Sequence, residues 1–231
     1  MNSHPQLLVQ KQSLAGGVEC RVTLNSSANR NALSVPLMQA LIDQIDQCDA
    51  ECLTLVGQPQ AFCAGLDFQI FLSNTRRKIQ DGISLMLQLY QRLASFPGRT
   101  RTLINGPAVG GGVGLALLAD QVLCTPQAQL RVPEGDLIYG AEIIRPIVEG
   151  RSPRCPWPFR LNAIQAEKQH LVTIATKELL MTSLPEQCDR TQLLAWLQQC
   201  EQKATEFLHG DQLPRFIDAI ESRLRWGNLS N

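Results

Sequence analysis

The sequence predicts an α/β fold whose core is a largely parallel β-sheet. Short apolar stretches typical of strands alternate with longer stretches of helical periodicity through the first 150 residues, and this order favours parallel strands joined by helices. Three consecutive glycines, Gly110–Gly112, separate one such strand from a dense apolar helix. With 231 residues, 44% of them hydrophobic, the chain is long enough to bury one core. We therefore predict a core over residues 1–150 and a second region over residues 151–231.

The N-terminal elements follow from the spacing of apolar side chains. Residues 7–10 and 20–24 alternate apolar and polar side chains and predict two antiparallel strands. Ser34 is expected to cap a helix, since apolar residues then recur at intervals of three or four. A buried strand is predicted at 52–56, where the apolar run ends at Gly57.

The central part of the chain contains a long amphipathic helix. Apolar residues recur at helical spacing from 83 to 96, and Pro97–Gly98 end this helix. The strand that leads to the glycine triplet is predicted at 102–104, and a helix follows at 113–119. Two further strands are predicted at 122–124 and 130–132.

The C-terminal region has a different character. Residues 151–159 contain three prolines and predict an irregular connector. Amphipathic helices are predicted after it, at 162–180, 191–208 and 213–225. We expect these helices to pack on the core or on a neighbouring subunit.

Composition narrows the class of protein. Lys plus Arg equals Asp plus Glu, so no net charge directs the chain to nucleic acid or anionic lipid. No apolar stretch is long enough for a transmembrane helix, and the N-terminus lacks the pattern of a signal peptide. The eight cysteines are scattered without a C-x-x-C motif, which favours free thiols in a cytoplasmic protein over a disulfide framework or a zinc site.

Two glycine loops are the candidate functional features. Residues 63–67 and 109–113 each follow a strand, and in a parallel sheet the two strand ends are expected at one edge. Each loop offers a backbone N–H, and two such donors aimed at one oxygen form an oxyanion hole. Nucleotide binding is excluded by spacing, because Leu115 stands where G-x-G-x-x-G needs glycine. The alternative is that these loops are only structural turns, and Cys63 is expected to be a packed thiol rather than a nucleophile.

The motifs resemble those of the crotonase (enoyl-CoA hydratase/isomerase) superfamily. Ala61–Gln69 resembles its first oxyanion motif and Asn105–Asp120 its second. Asn31–Ser34 resembles the family's Asn-Ala-Leu segment near the acyl-carrier entrance, and Pro133–Glu134 resembles the Pro-Glu that carries a catalytic acid. The resemblance implies a ββα spiral core, a thioester substrate, and a C-terminal helical region that forms homotrimers or dimers of trimers.

The resemblance also implies roles for individual residues. The N–H groups of Leu66 and Gly111 are expected to hold the thioester oxygen as it becomes an enolate, and Glu134 is expected to move the proton. No cofactor is expected, because the substrate is carried on the phosphopantetheine of an acyl carrier protein or of CoA. Further residues are expected to contact the substrate: Arg30, Ala64, Gly65, Asp67, Gly110, Gly112 and Tyr139. Arg30 and the basic run Arg76–Lys78 are candidate partners of the carrier or its phosphate, although such a run is more often a solvated face.

Two departures from the family pattern restrict the reaction. Hydratases carry a glutamate two residues after the glycine triplet, and this chain has Gly114 there. One remaining carboxylate suffices for removal of an α-proton, for a double-bond shift or for elimination of a β-hydroxyl. The segment after the connector also lacks the usual family pattern, which bears on how the acyl tail is enclosed.

The pattern is most similar to the dehydratases of polyketide β-branching cassettes. These act on 3-hydroxy-3-methylglutaryl groups on an acyl carrier protein, and the likeness rests on Phe62–Gln69 and Gly114. Three alternatives stay open: the partner decarboxylase, an acyl-CoA isomerase, and a non-catalytic homologue that supports a synthase.

Overall fold

The computed structural model describes residues 5–14, 16–58, 61–72, 76–133, 143–176, 179 and 187–209. Its larger sheet has the order β1-β2-β3-β4-β6-β9. The strands of this sheet are β1 (Leu7–Leu14), β2 (Gly17–Leu24), β3 (Cys52–Gly57), β4 (Arg99–Ile104), β6 (Gln121–Cys124) and β9 (Thr173–Ile174). β1 and β2 are antiparallel, and each later neighbour pairs in parallel. The predicted parallel-rich α/β core is therefore confirmed.

A smaller sheet lies beside the glycine loops. Its order is β5-β7-β8, and its strands are β5 (Pro107–Val109), β7 (Gln129–Val132) and β8 (Phe159–Asn162). β5 pairs in parallel with β7, and β7 pairs antiparallel with β8. This sheet places the strand before the glycine triplet beside the strand that ends at Val132.

Helices cover and connect the strands. They are α1 (Val35–Asp46), α2 (Gln69–Leu72), α3 (Arg76–Ala94), α4 (Gly111–Leu117), α5 (Arg145–Arg151), α6 (Ala163–Lys168) and α7 (Thr191–His209). α1 begins as predicted, because the Ser34 hydroxyl accepts the Leu37 N–H at 3.4 Å. Its buried face contains Leu37, Leu41 and Ile45. Within the described residues, no helix combines the length and apolar character needed to cross a membrane.

Several boundaries differ from the predicted ones. α3 begins at Arg76, so the basic run forms its first turn, and Arg77 and Lys78 are exposed there. β5 was not predicted, because Pro107–Val109 is only three residues long. The single helix predicted at 162–180 is wrong, since the chain instead forms β8, the short α6 and β9 there. Strands from beyond residue 150 thus pair with both sheets.

The C-terminal helix is the predicted helix at 191–208, and it packs against α3. Arg190, directly before it, is buried and its guanidinium forms an ion pair with Asp120. The same guanidinium donates to the carbonyls of Ala94, Phe96 and Gly98. One side chain therefore ties α7 to the ends of α3 and α4. The helix predicted at 213–225 lies outside the described residues.

Candidate active site

The first glycine loop is held between α1 and β5. The Leu33 N–H donates to the Gly65 carbonyl at 2.7 Å, and the Leu33 carbonyl accepts the Asp67 N–H at 3.2 Å. This is a parallel bridge between Leu33 and Leu66 in which Leu33 uses both of its own backbone groups. Because the residues on either side of Leu66 make these bonds, its own N–H points away from Leu33.

Gly65 is required at its position by conformation and by space. Its φ of +89° lies in the left-handed region, where a side chain is strained. A Cβ on Gly65 would lie 2.6 Å from the Val109 carbonyl oxygen. The two loops therefore touch through backbone, which only glycine permits.

The second loop forms the start of α4. Gly110 adopts a φ of +48°, and its N–H donates to the Arg131 carbonyl at 2.9 Å. Gly111 is the first residue of the helix, so its N–H has no carbonyl partner within that helix. A Cβ on Gly112 would lie 2.4 Å from the Cys63 carbonyl oxygen, which again brings the two loops into backbone contact.

The backbone nitrogens of Leu66 and Gly111 lie close together. A Cβ built on Gly111 would lie 3.5 Å from the Leu66 nitrogen, and one built on Gly65 would lie 3.3 Å from the Gly111 nitrogen. Neither N–H has an acceptor among the described residues. Two neighbouring N–H donors, one of them at the N-terminus of α4, suit a developing negative charge on one oxygen. Their role as an oxyanion hole stays a prediction, which the closeness of the two nitrogens supports.

Asn31 holds the residues that lead into the first loop. It is buried with a φ of +56°, and its amide nitrogen donates to the carbonyls of Ala61 at 2.9 Å and Phe62 at 3.3 Å. Its amide oxygen accepts the Ser26 N–H at 2.8 Å. The Asn-Ala-Leu segment therefore fixes the chain that leads into Gly65, a role that the sequence did not indicate.

The remaining residues predicted to contact the substrate differ in exposure and in hydrogen bonding. The half-buried Ala64 donates its N–H to the Arg30 carbonyl at 3.1 Å, so the exposed Arg30 lies next to the first loop. The Asp67 carboxylate accepts the Gln69 N–H at 3.0 Å and caps the turn into α2. Glu134 and Tyr139 lie outside the described residues.

Cys63 is a packed thiol, as expected. It is buried, and burial raises the pKa of its thiol to about 12. A thiol in this state carries almost no thiolate at neutral pH. All eight cysteines of the chain are free thiols.

Sequence reasoning missed Tyr90 of α3. It is buried, and its hydroxyl donates to the carbonyl of Gly111. Its only signal was a tyrosine among the leucines of an apolar helix face, which by itself predicts core packing. No group of three or more potential metal-ligating side chains occurs in the described part of the chain.

The sequence was compared with known protein families. The sequence profile of the enoyl-CoA hydratase/isomerase family matches residues 15–140, more than half of the chain. The chain belongs to the enoyl-CoA hydratase/isomerase family. The expected crotonase superfamily and its fold are thus confirmed.

Individual relatives in this family include one polyketide enzyme. The bacillaene synthase dehydratase PksH of Bacillus subtilis is 25% identical over 165 residues, which are 69% of this chain and 59% of PksH. The chain spans about half the length of the curated relatives it matches.

Solved structures show the same fold. The enoyl-CoA hydratase of Bacillus halodurans has a TM-score of 0.71 at 15% identity, with 93% of this chain and 99% of that chain covered. The enoyl-CoA hydratase of Bacillus anthracis has a TM-score of 0.63 at 21% identity, with 88% and 76% covered. At these identities the likeness concerns the fold alone.

Proposed function

We propose that this enoyl-CoA hydratase/isomerase family member is a lyase that acts on an acyl thioester through an enolate. The observation that carries the proposal is the closeness of the Leu66 and Gly111 backbone nitrogens, whose N–H groups have no acceptor among the described residues. Each donor stabilises the enolate oxygen more strongly than the neutral carbonyl, because the charge develops only in the transition state. The loss of one such donor typically lowers kcat by about 100–1,000-fold.

Glu134 is the proposed proton-transfer group. The Arg131 carbonyl is bonded to Gly110, and Glu134 follows three residues later. Three residues span at most about 11 Å of backbone, and the nearness of Glu134 to the glycine loop is part of the proposal. A glutamate that takes a proton from carbon works best when an apolar surrounding raises its pKa.

The proposed reaction is dehydration of a 3-hydroxy-3-methylglutaryl group on an acyl carrier protein. Glu134 takes the α-proton, and the electron pair moves into the enolate oxygen held by the two amides. The electrons then return to form the carbon–carbon double bond as the bond to the β-hydroxyl breaks. Glu134 returns its proton to the departing hydroxyl, so the products are the unsaturated thioester and water.

Two observations favour an elimination that uses one carboxylate over the two-carboxylate mechanism of the family's hydratases. A second carboxylate at position 114 would collide with Tyr90, since a Cβ there would lie 2.6 Å from the phenolic oxygen. The relative PksH is described as a dehydratase of bacillaene synthase. The likeness to PksH supports polyketide biosynthesis as the proposed setting. We propose a cytoplasmic location because the cysteines are free thiols.

The carrier and the assembly belong to the same proposal. The exposed Arg30 lies next to the first loop, and Arg77 and Lys78 are exposed on α3. We propose that these cations, with Arg76, pair with the carrier's acidic helices or with the phosphopantetheine phosphate. A homotrimer or dimer of trimers is the proposed assembly, to be measured by analytical ultracentrifugation.

The test is mass spectrometry of an acyl carrier protein loaded with the 3-hydroxy-3-methylglutaryl group. Wild-type protein is expected to remove one water, and Glu134→Gln is expected to lose nearly all turnover. Glu149→Gln serves as the control, because Glu149 is an exposed carboxylate paired with Arg145 at 2.7 Å. It is expected to retain the wild-type rate.

Other outcomes distinguish the alternatives. Loss of carbon dioxide from the unsaturated thioester would indicate the decarboxylase, and a shifted double bond would indicate the isomerase. Full turnover by Glu134→Gln would contradict the assigned role of that residue. Failure of every CoA or carrier thioester to stabilise the fold would favour a non-catalytic partner of a synthase, because a bound ligand raises the free energy of unfolding.

A further inference from the structure

The structure contains a buried hydroxyl at the helix start that forms half of the proposed oxyanion hole. Tyr90 lies on α3 with no exposed surface, and its hydroxyl donates to the Gly111 carbonyl. Gly111 is also the residue whose N–H faces the proposed thioester oxygen. The hydrogen bond thus acts on one of the two donor residues directly.

Gly111 packs closely against side chains of α3. A Cβ on Gly111 would lie 3.3 Å from the Met86 sulfur and 3.4 Å from the Tyr90 oxygen. α3 therefore rests directly on the first turn of α4. Lateral movement of Gly111 is restricted, because buried side chains leave no free volume for it.

The same phenol occupies the space next to Gly114. A Cβ at that position would lie 2.6 Å from the Tyr90 oxygen and 3.1 Å from two carbons of its ring. Contacts below 3.0 Å essentially never occur for real Cβ atoms. A side chain at position 114 and the phenol of Tyr90 therefore exclude each other in this packing.

The hydroxyl is a permanent donor. Burial raises the pKa of Tyr90 far above its ordinary value, and a hydrogen bond from the Leu115 N–H offsets this only in part. The phenol is therefore protonated at neutral pH, where it donates to the Gly111 carbonyl.

We infer that Tyr90 is a positioning residue that orients the Gly111 amide of the oxyanion hole and takes the space in which a second carboxylate would begin. This inference rests on the proposed function, because it assigns Tyr90 to that same site. The Gly111 N–H belongs to the peptide before the bonded carbonyl, so the phenol acts on it through the Gly111 Cα, by holding the first turn of α4 in place before substrate arrives. Stabilisation of the enolate then needs no reorganisation of that turn.

The central test compares Tyr90→Phe with Thr102→Val. Both changes remove a buried hydroxyl that donates to a carbonyl of α4, since the Thr102 hydroxyl donates to the Ala116 carbonyl at 2.9 Å. The two variants differ in position, because Ala116 lies more than one helical turn beyond Gly111, the proposed donor residue. Tyr90→Phe is expected to lower kcat for dehydration at least tenfold with KM within twofold of wild type. Thr102→Val is expected to leave both constants unchanged, and equal kcat values in the two variants would overturn the inference.

Gly114→Ala provides a second, independent arm. Its Cβ is expected to displace the phenolic oxygen and lower kcat by a similar factor. In the double variant Tyr90→Phe/Gly114→Ala the hydroxyl is already gone, so the two losses are expected to combine to less than their product. A double variant whose loss equals the product would contradict the shared space.

A readout that needs no turnover separates this inference from the proposed reaction. Butyryl-CoA labelled with ¹³C at its carbonyl has no β-hydroxyl to lose, and its bound infrared stretch reports polarisation by the two amides. The stretch is expected to move to lower frequency in wild type and to move less in Tyr90→Phe. A wild type that shifts the stretch without dehydrating the carrier substrate would refute the proposed reaction alone. An equal shift in both proteins, or no bound thioester, would refute the role of Tyr90.

Discussion

Replacement of Gly65 by alanine tests the contact between the two loops most directly. Gly65 has a φ of +89°, and a Cβ there would lie 2.6 Å from the Val109 oxygen and 3.3 Å from the Gly111 nitrogen. Because the first contact is with backbone, no side-chain rotation relieves it. One of the two loops has to move.

The expected magnitude has two parts. An alanine in left-handed backbone costs about 1–2 kcal/mol. An extra carbon forced into a packed region costs about 1–3 kcal/mol. Gly65→Ala is therefore expected to lower the free energy of unfolding by roughly 2–5 kcal/mol. It is also expected to reduce kcat by about 100–1,000-fold, because movement of the loop takes the Leu66 N–H away from its partner amide.

Gly16→Ala is the matched control. Gly16 has a φ of +98°, and a Cβ there meets nothing within 4 Å. The control carries the same backbone strain without the collision, so its loss of about 1–2 kcal/mol isolates the strain. Urea unfolding followed by circular dichroism measures stability, and turnover of the carrier-bound substrate measures kcat. If the two variants lose equal stability and both retain wild-type kcat, the backbone contact between the loops does not govern the site.

Three further predictions concern the supports of the site. Arg190→Met is expected to lower the free energy of unfolding in urea by about 3–5 kcal/mol, because it leaves Asp120 buried without its cation. Arg92→Met is the control: Arg92 is half-exposed, and its loss is expected to cost at most about 1 kcal/mol. Burial by itself raises the pKa of Asp120, but hydrogen bonds from Arg190 and two backbone N–H groups outweigh this and hold it below its ordinary value. The stability that this carboxylate contributes is therefore present above its ordinary pKa and is lost as the pH falls through the lower pKa of the folded state. In Asp120→Asn, the free energy of unfolding should no longer show this loss when it is measured against pH. Asn31→Ala is expected to lower both stability and kcat, since two carbonyls of the first loop lose their donor; unchanged kcat in a folded variant would limit Asn31 to a structural role.

Much of the fold was predictable because its signals are local. The Ser34 cap and the apolar spacing of α1 are properties of neighbouring residues, and the structure reproduces that helix. The region at 162–180 was mispredicted, because β8 and β9 take their partners from distant strands. A two-residue strand such as β9 has no periodicity of its own for a pattern to report.

The candidate site divides in the same way. The glycine loops were recognisable because the backbone conformation there requires glycine at Gly65 and Gly110–Gly112, and glycines are visible in the sequence. The contact of Tyr90 with Gly111 leaves none, since an apolar helix face predicts a buried residue without saying what it touches.

By itself the sequence determined the family, the order of most elements and the positions of the two glycine loops. These properties depend on residue type and on spacing along the chain. Only the tertiary structure decided that the Leu66 and Gly111 nitrogens lie close together, that Tyr90 occupies the space beside Gly114 and that Arg190 joins α7 to Asp120. Each of these contacts joins residues that are far apart in sequence, and their distances are set by how the sheets and helices pack.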